Sequence, residues 1–268
     1  MKLIYFGDVV GKAGRAAVYT HLPTLREKYE PDFIILNGEN AAHGFGITEK
    51  ICKEFFDAGI NVITLGNHAW DRREIMDYIR REQRLIRPIN YPENTPGKGY
   101  ALFETTSGGR ILVVQVMGLL FMEPLDDPFG AVEDCLRKIT LGKDANCIVV
   151  DIHAEATSEK MSMGQYLDGR VSMVVGSHSH IPTADAQILP GGTAYQTDAG
   201  MCGDYNSVIG MKKEAAIGRF VKKQLGERLE PAEQEATACG VFLETDDHSG
   251  RALGIHAIRI GGRLAGTE

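Results

Sequence analysis

The segment Val174-Val175-Gly176-Ser177-His178-Ser179-His180-Ile181-Pro182 carries two imidazoles just beyond an apolar run. Alternate residues of an extended chain point to opposite sides, so His178 and His180 either splay toward separate ligand positions or sit in a turn. That arrangement suits two neighbouring cations better than one. Three other apolar runs end in the same way: Phe6-Gly7-Asp8, Asn37-Gly38-Glu39-Asn40 and Leu65-Gly66-Asn67-His68. A fourth run, Val149-Val150-Asp151-Ile152-His153, ends on an imidazole. Taken singly, each has an ordinary reading. Asp8 is as readily a helix cap, Glu39-Asn40 a polar loop exit, and His153 a satisfied core histidine. Their coincidence is informative, because ligand sites of open α/β sheets gather outside the carboxyl ends of the strands.

Of the eight histidines, His68, His153, His178 and His180 share this setting. His21, His248 and His256 read as surface or structural residues, and His43, in a glycine-flanked loop near Glu39, is a further candidate. Carboxylate, imidazole and amide oxygen without thiolate suit iron, manganese or zinc. Asp8, Glu39, Asn40, Asn67, His153, His178 and His180 exceed one closed tetrahedral shell. They fit two cations roughly 3.5–4 Å apart that share a carboxylate, a centre that clamps phosphoryl groups and yields hydroxide at neutral pH.

Positioning these residues requires strands that alternate with helices. Strands are expected at 3–6, 33–36, 62–65, 100–104, 111–116, 147–152 and 171–175, with helices at 14–28, 48–58, 72–81, 131–141 and 164–167. Thr48 offers a modest N-cap. The rhythm predicts an α/β fold with much parallel pairing. The Pro- and Gly-rich stretch 88–99 reads as a loop. Hairpins are expected around Thr105-Thr106-Ser107-Gly108-Gly109, around Pro190-Gly191-Gly192, and around residues 245–251. Hairpins added to the α/β rhythm suggest a mixed sheet or two stacked sheets covered by helices. Without repeats or linkers, residues 1–268 read as one domain.

With 268 residues and 43% hydrophobic content, the chain can bury a large core. A net charge of −7 argues against a mainly electrostatic grip on nucleic acid or anionic membrane. Bound divalent cations would still admit an anionic substrate. Five scattered cysteines without a Cys-x-x-Cys spacing indicate neither a zinc knuckle nor a disulfide framework. Met1-Lys2-Leu3-Ile4-Tyr5-Phe6 leads straight into a strand without signal-peptide features, and no apolar stretch reaches membrane-spanning length. A reducing cytoplasm is the expected setting. The segment 212–234 reads as a solvated helix and turn. The hairpin edges and the 88–99 loop could pair subunits into a homo-oligomer or merely cover the sheet.

The order Gly-Asp, Gly-Glu-Asn, Gly-Asn-His, a later His and then His-x-His resembles the calcineurin-like metallophosphoesterases. Their usual Asp-x-His opening is replaced by Asp8-Val9-Val10, and Glu39-Asn40 stands where an acidic Asp is usual. These departures are similar to those of the bacterial YmdB-type phosphodiesterases. The same subgroup is resembled by Leu65-Gly66-Asn67-His68-Ala69-Trp70-Asp71, by His153-Ala154-Glu155-Ala156-Thr157-Ser158-Glu159-Lys160, by Leu167-Asp168-Gly169-Arg170 and by Tyr195-Gln196-Thr197-Asp198-Ala199-Gly200-Met201.

The resemblance implies a single metallophosphoesterase domain, a sandwich of two mixed β-sheets flanked by helices in four layers. It implies that Glu39 bridges two cations, that Asp8, Asn40 and His180 complete one site, and that Asn67, His153 and His178 complete the other. Iron is the implied metal, with manganese able to support activity. In-line attack of a metal-bridging hydroxide would cleave small phosphodiesters, with 2′,3′-cyclic nucleoside monophosphates as the leading class. His68 would protonate the leaving oxygen or bind phosphate; orienting Asn67 is its plainer role. The alternative is a regulatory nucleotide-binding protein with weak or incidental activity. Trp70 could stack on a base or anchor the core. Lys160 and Arg170 could meet phosphate or be surface charges.

Overall fold

The computed structural model describes residues 1–222 and 228–267. In chain order the elements are β1 (Lys2–Phe6), β2 (Asp8–Val9), α1 (Gly11–Tyr29), β3 (Phe33–Asn37), α2 (Glu49–Asp57), β4 (Val62–Thr64), α3 (Ile75–Tyr78), β5 (Leu85–Ile86), β6 (Tyr100–Glu104) and β7 (Arg110–Met117). They continue with α4 (Pro128–Leu136), β8 (Cys147–His153), α5 (Thr157–Leu167), β9 (Met173–Ser177), β10 (Gln187–Ile188), β11 (Ala194–Gln196), β12 (Met201–Cys202), α6 (Lys213–Val221), β13 (Ala238–Thr245) and β14 (Ala252–Ile260).

Two six-stranded mixed sheets form, in the orders β14-β13-β1-β3-β4-β5 and β10-β11-β9-β8-β7-β6. In the first, β1, β3, β4 and β5 are parallel, β13 runs antiparallel to β1, and β14 antiparallel to β13. In the second, β11, β9, β8 and β7 are parallel, with β10 and β6 antiparallel at the edges. A small parallel pair, β2 with β12, lies beyond them.

Period-two alternation builds the layers. Leu3, Tyr5 and Ile35 face Ile111, Val113, Val149 and Val175 in a core between the sheets. Their neighbours Ile4, Phe6, Ile34 and Leu36 pack with Val18 and Leu22 of α1 and with Cys52 and Phe55 of α2. Leu112, Val114, Ile148 and Val150 pack with Val132 and Cys135 of α4 and with Met163 and Leu167 of α5. The result is the expected α/β/β/α order. Strands covered on both faces read as continuous apolar runs rather than as alternation, which is how they stood out in the sequence.

The departures from expectation have local causes. Only Ile75–Tyr78 of the expected helix at 72–81 is helical. Arg72 donates instead to the carbonyls of Phe45 and Ala42, and Glu74 accepts from the Glu49 backbone N–H, so this segment ties down a loop. Helix α5 starts at Thr157, well before 164, and its buried face includes Glu159 and Lys160, which hid its first turns from the sequence reading. Charged residues on the inner face erase the apolar period. The two-residue strands β2, β5 and β12 were not expected. Of the segment 212–234, α6 is helical, while residues 223–227 lie outside the described residues. Among the described residues, no helix is long and apolar enough to cross a membrane.

Candidate metal centre

The parallel strands of both sheets point their carboxyl ends toward one edge. Asp8 follows β1, Glu39 and Asn40 follow β3, and Asn67 and His68 follow β4; His153 ends β8, while His178 and His180 follow β9. All eight predicted residues therefore lie at strand ends along one edge, and Asp8, Glu39, Asn67, His153, His178 and His180 converge there.

The distances define the centre. His153 Nε2 lies 3.1 Å from Glu39 Oε1, 2.9 Å from Asn67 Oδ1 and 3.1 Å from His178 Nδ1. His180 Nε2 lies 4.0 Å from Asp8 Oδ1. Among the described residues, two sets of three donors converge within 4.8 Å, Glu39–His153–His178 and Asp8–Glu39–His180, and Glu39 belongs to both. His178 and His180 adopt positive φ, 90° and 65°, so the chain bends here and each histidine joins a different donor set. Gly66 makes room for the cluster, since a Cβ there would lie 2.3 Å from Glu39 Oε2 and 2.4 Å from His153 Nε2.

Outer hydrogen bonds fix which atoms face inward. Asp151 Oδ1 accepts from Ser177 Oγ at 2.7 Å, and that hydroxyl accepts from His153 Nδ1 at 2.9 Å, which turns Nε2 to the donors. The Ile209 carbonyl does the same for His180, accepting from Nδ1 at 2.8 Å. His178 Nε2 lies 3.3 Å from Glu155. Asn40 Nδ2 donates to the Gly44 carbonyl at 3.0 Å. The other ends of these groups are unspent: Asp8 Oδ1 and Asn40 Oδ1 are buried acceptors without a hydrogen-bond partner. A buried acceptor left so is costly unless a cation or donor meets it. Two buried carboxylates, inward imidazole nitrogens and amide oxygens, with no thiolate, fit a pair of hard or borderline cations.

Electrostatics agree. Burial raises the Asp8 carboxyl, opposed by His180 and His153. Burial would raise Glu39 too, but His153 and His68 hold it below the ordinary range. Burial disfavours the charged His153, yet Glu39, Asp8 and Asp151 outweigh it and push His153 up to about 9. Burial and the neighbouring His153 press His178 down to about 3, so it stays neutral. A proton on His153 thus balances part of the negative charge that a cation would otherwise meet.

His68 sits at the rim, partly exposed. Its backbone N–H donates to Glu39 Oε2 at 3.0 Å, and its Nδ1 lies 2.9 Å from Asp71 Oδ2. The Phe45 ring meets it edge-on at 5.1 Å. His43 is exposed and lines a separate cavity of about 420 Å³ with Arg72, Lys212 and Arg228. Trp70 packs against the core of the first sheet and meets Tyr91 edge-on, so it serves as an anchor. Lys160 is fully buried against Asp198, which corrects its reading as a phosphate contact or surface charge; the opening of α5 carries it inward. Arg170 pairs with Glu133 at the surface.

Sequence reasoning missed Asp151, Ser177 and Asp198. The signal for Asp151 was present: it shares His153's face two residues earlier in an otherwise apolar strand. Asp198 follows no such pattern.

Comparison with known proteins fits this geometry. The family model for YmdB-like proteins matches residues 4–258. A 2′,3′-cyclic-nucleotide 2′-phosphodiesterase of Bacillus subtilis (strain 168) is 46% identical over 260 residues, covering 97% of each chain. A crystal structure of a hypothetical protein from Thermus thermophilus superposes with TM-score 0.91 at 42% identity, covering 98% of this chain and 100% of that one. A phosphatase structure from Mycoplasma pneumoniae also gives 0.91, at 36% identity, over 97% and 93%. A family match across nearly the whole chain, joined to full-length relatives on the same fold, shows that the chain belongs to the YmdB-like family of metallophosphoesterases.

Proposed function

We propose that this chain is a two-metal phosphodiesterase acting on small phosphodiesters, with 2′,3′-cyclic nucleoside monophosphates as its substrate class. The observation that carries the reading is Glu39, shared by two converging donor sets beside the buried, unpartnered oxygens of Asp8 and Asn40. Asp8, Asn40 and His180 would hold one cation, Asn67, His153 and His178 the other, with Glu39 between them. When bound, the pair would supply an activated water and charge stabilisation at the phosphoryl oxygens. Iron is the proposed native metal and manganese a competent substitute, both suited to this thiolate-free set. The substrate class is taken from the B. subtilis relative.

The chain's own groups complete the chemistry. Asp71 accepts from Nδ1 of His68 and orients the ring, leaving Nε2 at the open rim. From there His68 holds a proton for the departing oxygen. An oriented acid at the mouth of the centre favours turnover over nucleotide binding alone. All five cysteines are buried and free, which suits the reducing cytoplasm we propose as its setting.

Elemental analysis combined with hydrolysis of 2′,3′-cyclic AMP, with and without Mn²⁺, tests the reading. About two metals per chain with turnover is the expected result. Two metals without turnover on this or a generic diester would move the function to nucleotide sensing. No metal under any loading condition would overturn the donor assignment.

A further inference from the structure

Two stretches singled out in the sequence contain residues that the metal centre does not use. Lys160 closes His153-Ala154-Glu155-Ala156-Thr157-Ser158-Glu159-Lys160, and Asp198 lies in Thr197-Asp198-Ala199-Gly200-Met201. Lys160 Nζ lies 2.7 Å from Asp198 Oδ2, and both side chains are fully buried. Resting on the two-cation reading above, we propose that Lys160 and Asp198 are positioning residues. Their ion pair grips Ser179 and so fixes His178 and His180, on either side of it, in the orientation a cation requires.

The bonds converge on Ser179. Asp198 Oδ2 accepts from the Ser179 backbone N–H at 3.2 Å and from its hydroxyl at 2.7 Å, while Lys160 donates to the same hydroxyl at 3.1 Å. Asp198 Oδ1 accepts from the Gly200 N–H at 2.8 Å, tying the following segment to the same carboxylate. The rest of the turn is held as fully. The His178 N–H donates to Asp8 Oδ2 at 3.1 Å, and the His180 carbonyl accepts from Tyr205 Oη at 3.0 Å and from the Met201 N–H at 3.1 Å.

This over-determination is needed because both histidines hold positive φ, a region that non-glycine residues keep only when their surroundings impose it. Packing is equally close at Gly176, where a Cβ would lie 1.8 Å from the Thr197 carbonyl oxygen and 2.8 Å from Lys160 Cδ. A buried ion pair is weak support for stability, since apolar residues of similar volume often serve as well. What apolar residues cannot do is accept both the N–H and the O–H of Ser179. The pair is therefore spent on the shape of the turn.

The test compares metal-depleted wild type with Ser179→Ala, with the charge-neutral double variant Lys160→Met/Asp198→Asn, and with His180→Ala. Each is titrated with Mn²⁺ alone by calorimetry and melted with and without Mn²⁺. Ser179→Ala and the double variant are expected to melt cooperatively and to bind Mn²⁺ about 10–100-fold more weakly, the usual loss when an outer partner of a metal ligand is removed. The rise in Tm produced by Mn²⁺ should shrink in step. A variant that folds and binds Mn²⁺ as wild type does, even with a lower metal-free Tm, would overturn the proposal. If the double variant does not fold, Ser179→Ala decides alone. Should His180→Ala also bind Mn²⁺ like wild type, the donor assignment itself has failed and the clamp with it. If His180→Ala loses Mn²⁺ while Ser179→Ala does not, only the clamp has failed.

Discussion

Single side chains decide how the centre handles charge. His153 is directed by the Ser177–Asp151 relay, so Asp151→Asn should weaken Mn²⁺ binding by about 10–100-fold while leaving the donors in place, as read by titration of metal-depleted protein. The same histidine sets a pH dependence. Its pKa rises from 6.5 to about 9 in the folded chain, so the protonated form stabilises the metal-free protein. That contribution is complete below pH 6.5 and is lost as pH rises through about 9. Melting of metal-depleted protein across this window should show the fall, and His153→Gln should flatten it. Mn²⁺ affinity should move the other way and tighten over the same interval, because cation and proton compete for Nε2. For His68, replacement by Ala should cost about 10²–10⁴-fold in turnover, the range for a general acid, with metal content unchanged. Unchanged turnover would remove His68 from that role.

Elements bring these groups within reach, and glycine at a strand end sets how near they come. Gly66 ends the run after β4 directly under Glu39 and His153. Gly66→Ala would thrust a methyl among the donors, so elemental analysis should find the purified variant depleted of metal even if it folds. By contrast, Thr48 caps α2 on the helix layer, accepting from the Ile51 N–H at 3.3 Å. Thr48→Ala should cost about 1 kcal/mol in denaturant unfolding. Metal content should not change, since α2 supplies no donor. The long strands and the helices α1 and α2 were legible in the sequence, because continuous apolar runs and a 3.6-residue stripe survive wherever the buried face is wholly apolar. The start of α5 was not, because Glu159 and Lys160 occupy its buried face.

At the scale of the molecule, the centre is a joint between the two sheets. Glu39, Asn40 and Asn67 follow strands of the first, Asp8 opens β2 just beyond the end of β1, and His153, His178 and His180 come from the second. A ligand bound only by the folded chain stabilises it through mass action, by about 4 kcal/mol at 1,000 times Kd. Chelation should therefore lower Tm, and Mn²⁺ should restore it in a concentration-dependent way. A Tm indifferent to both would separate the centre from the integrity of the sandwich. The net charge of −7 makes such a site all the more dependent on cations to receive an anionic diester.

Residue type and period are local properties, so the α/β rhythm, the polar residues at the strand ends and the donor chemistry could all be read directly along the chain. Asp8, Glu39, Asn67, His153 and the His178/His180 pair stood there as separate punctuation marks. Their meeting is a matter of packing. Two sheets deliver them to one point, Glu39 stands between two donor sets, and Asp151 and Asp198 hold the imidazoles in place. Such facts rest on residues such as Lys160 and Asp198, which lie far apart in the chain and have no pattern of their own until the fold brings them together.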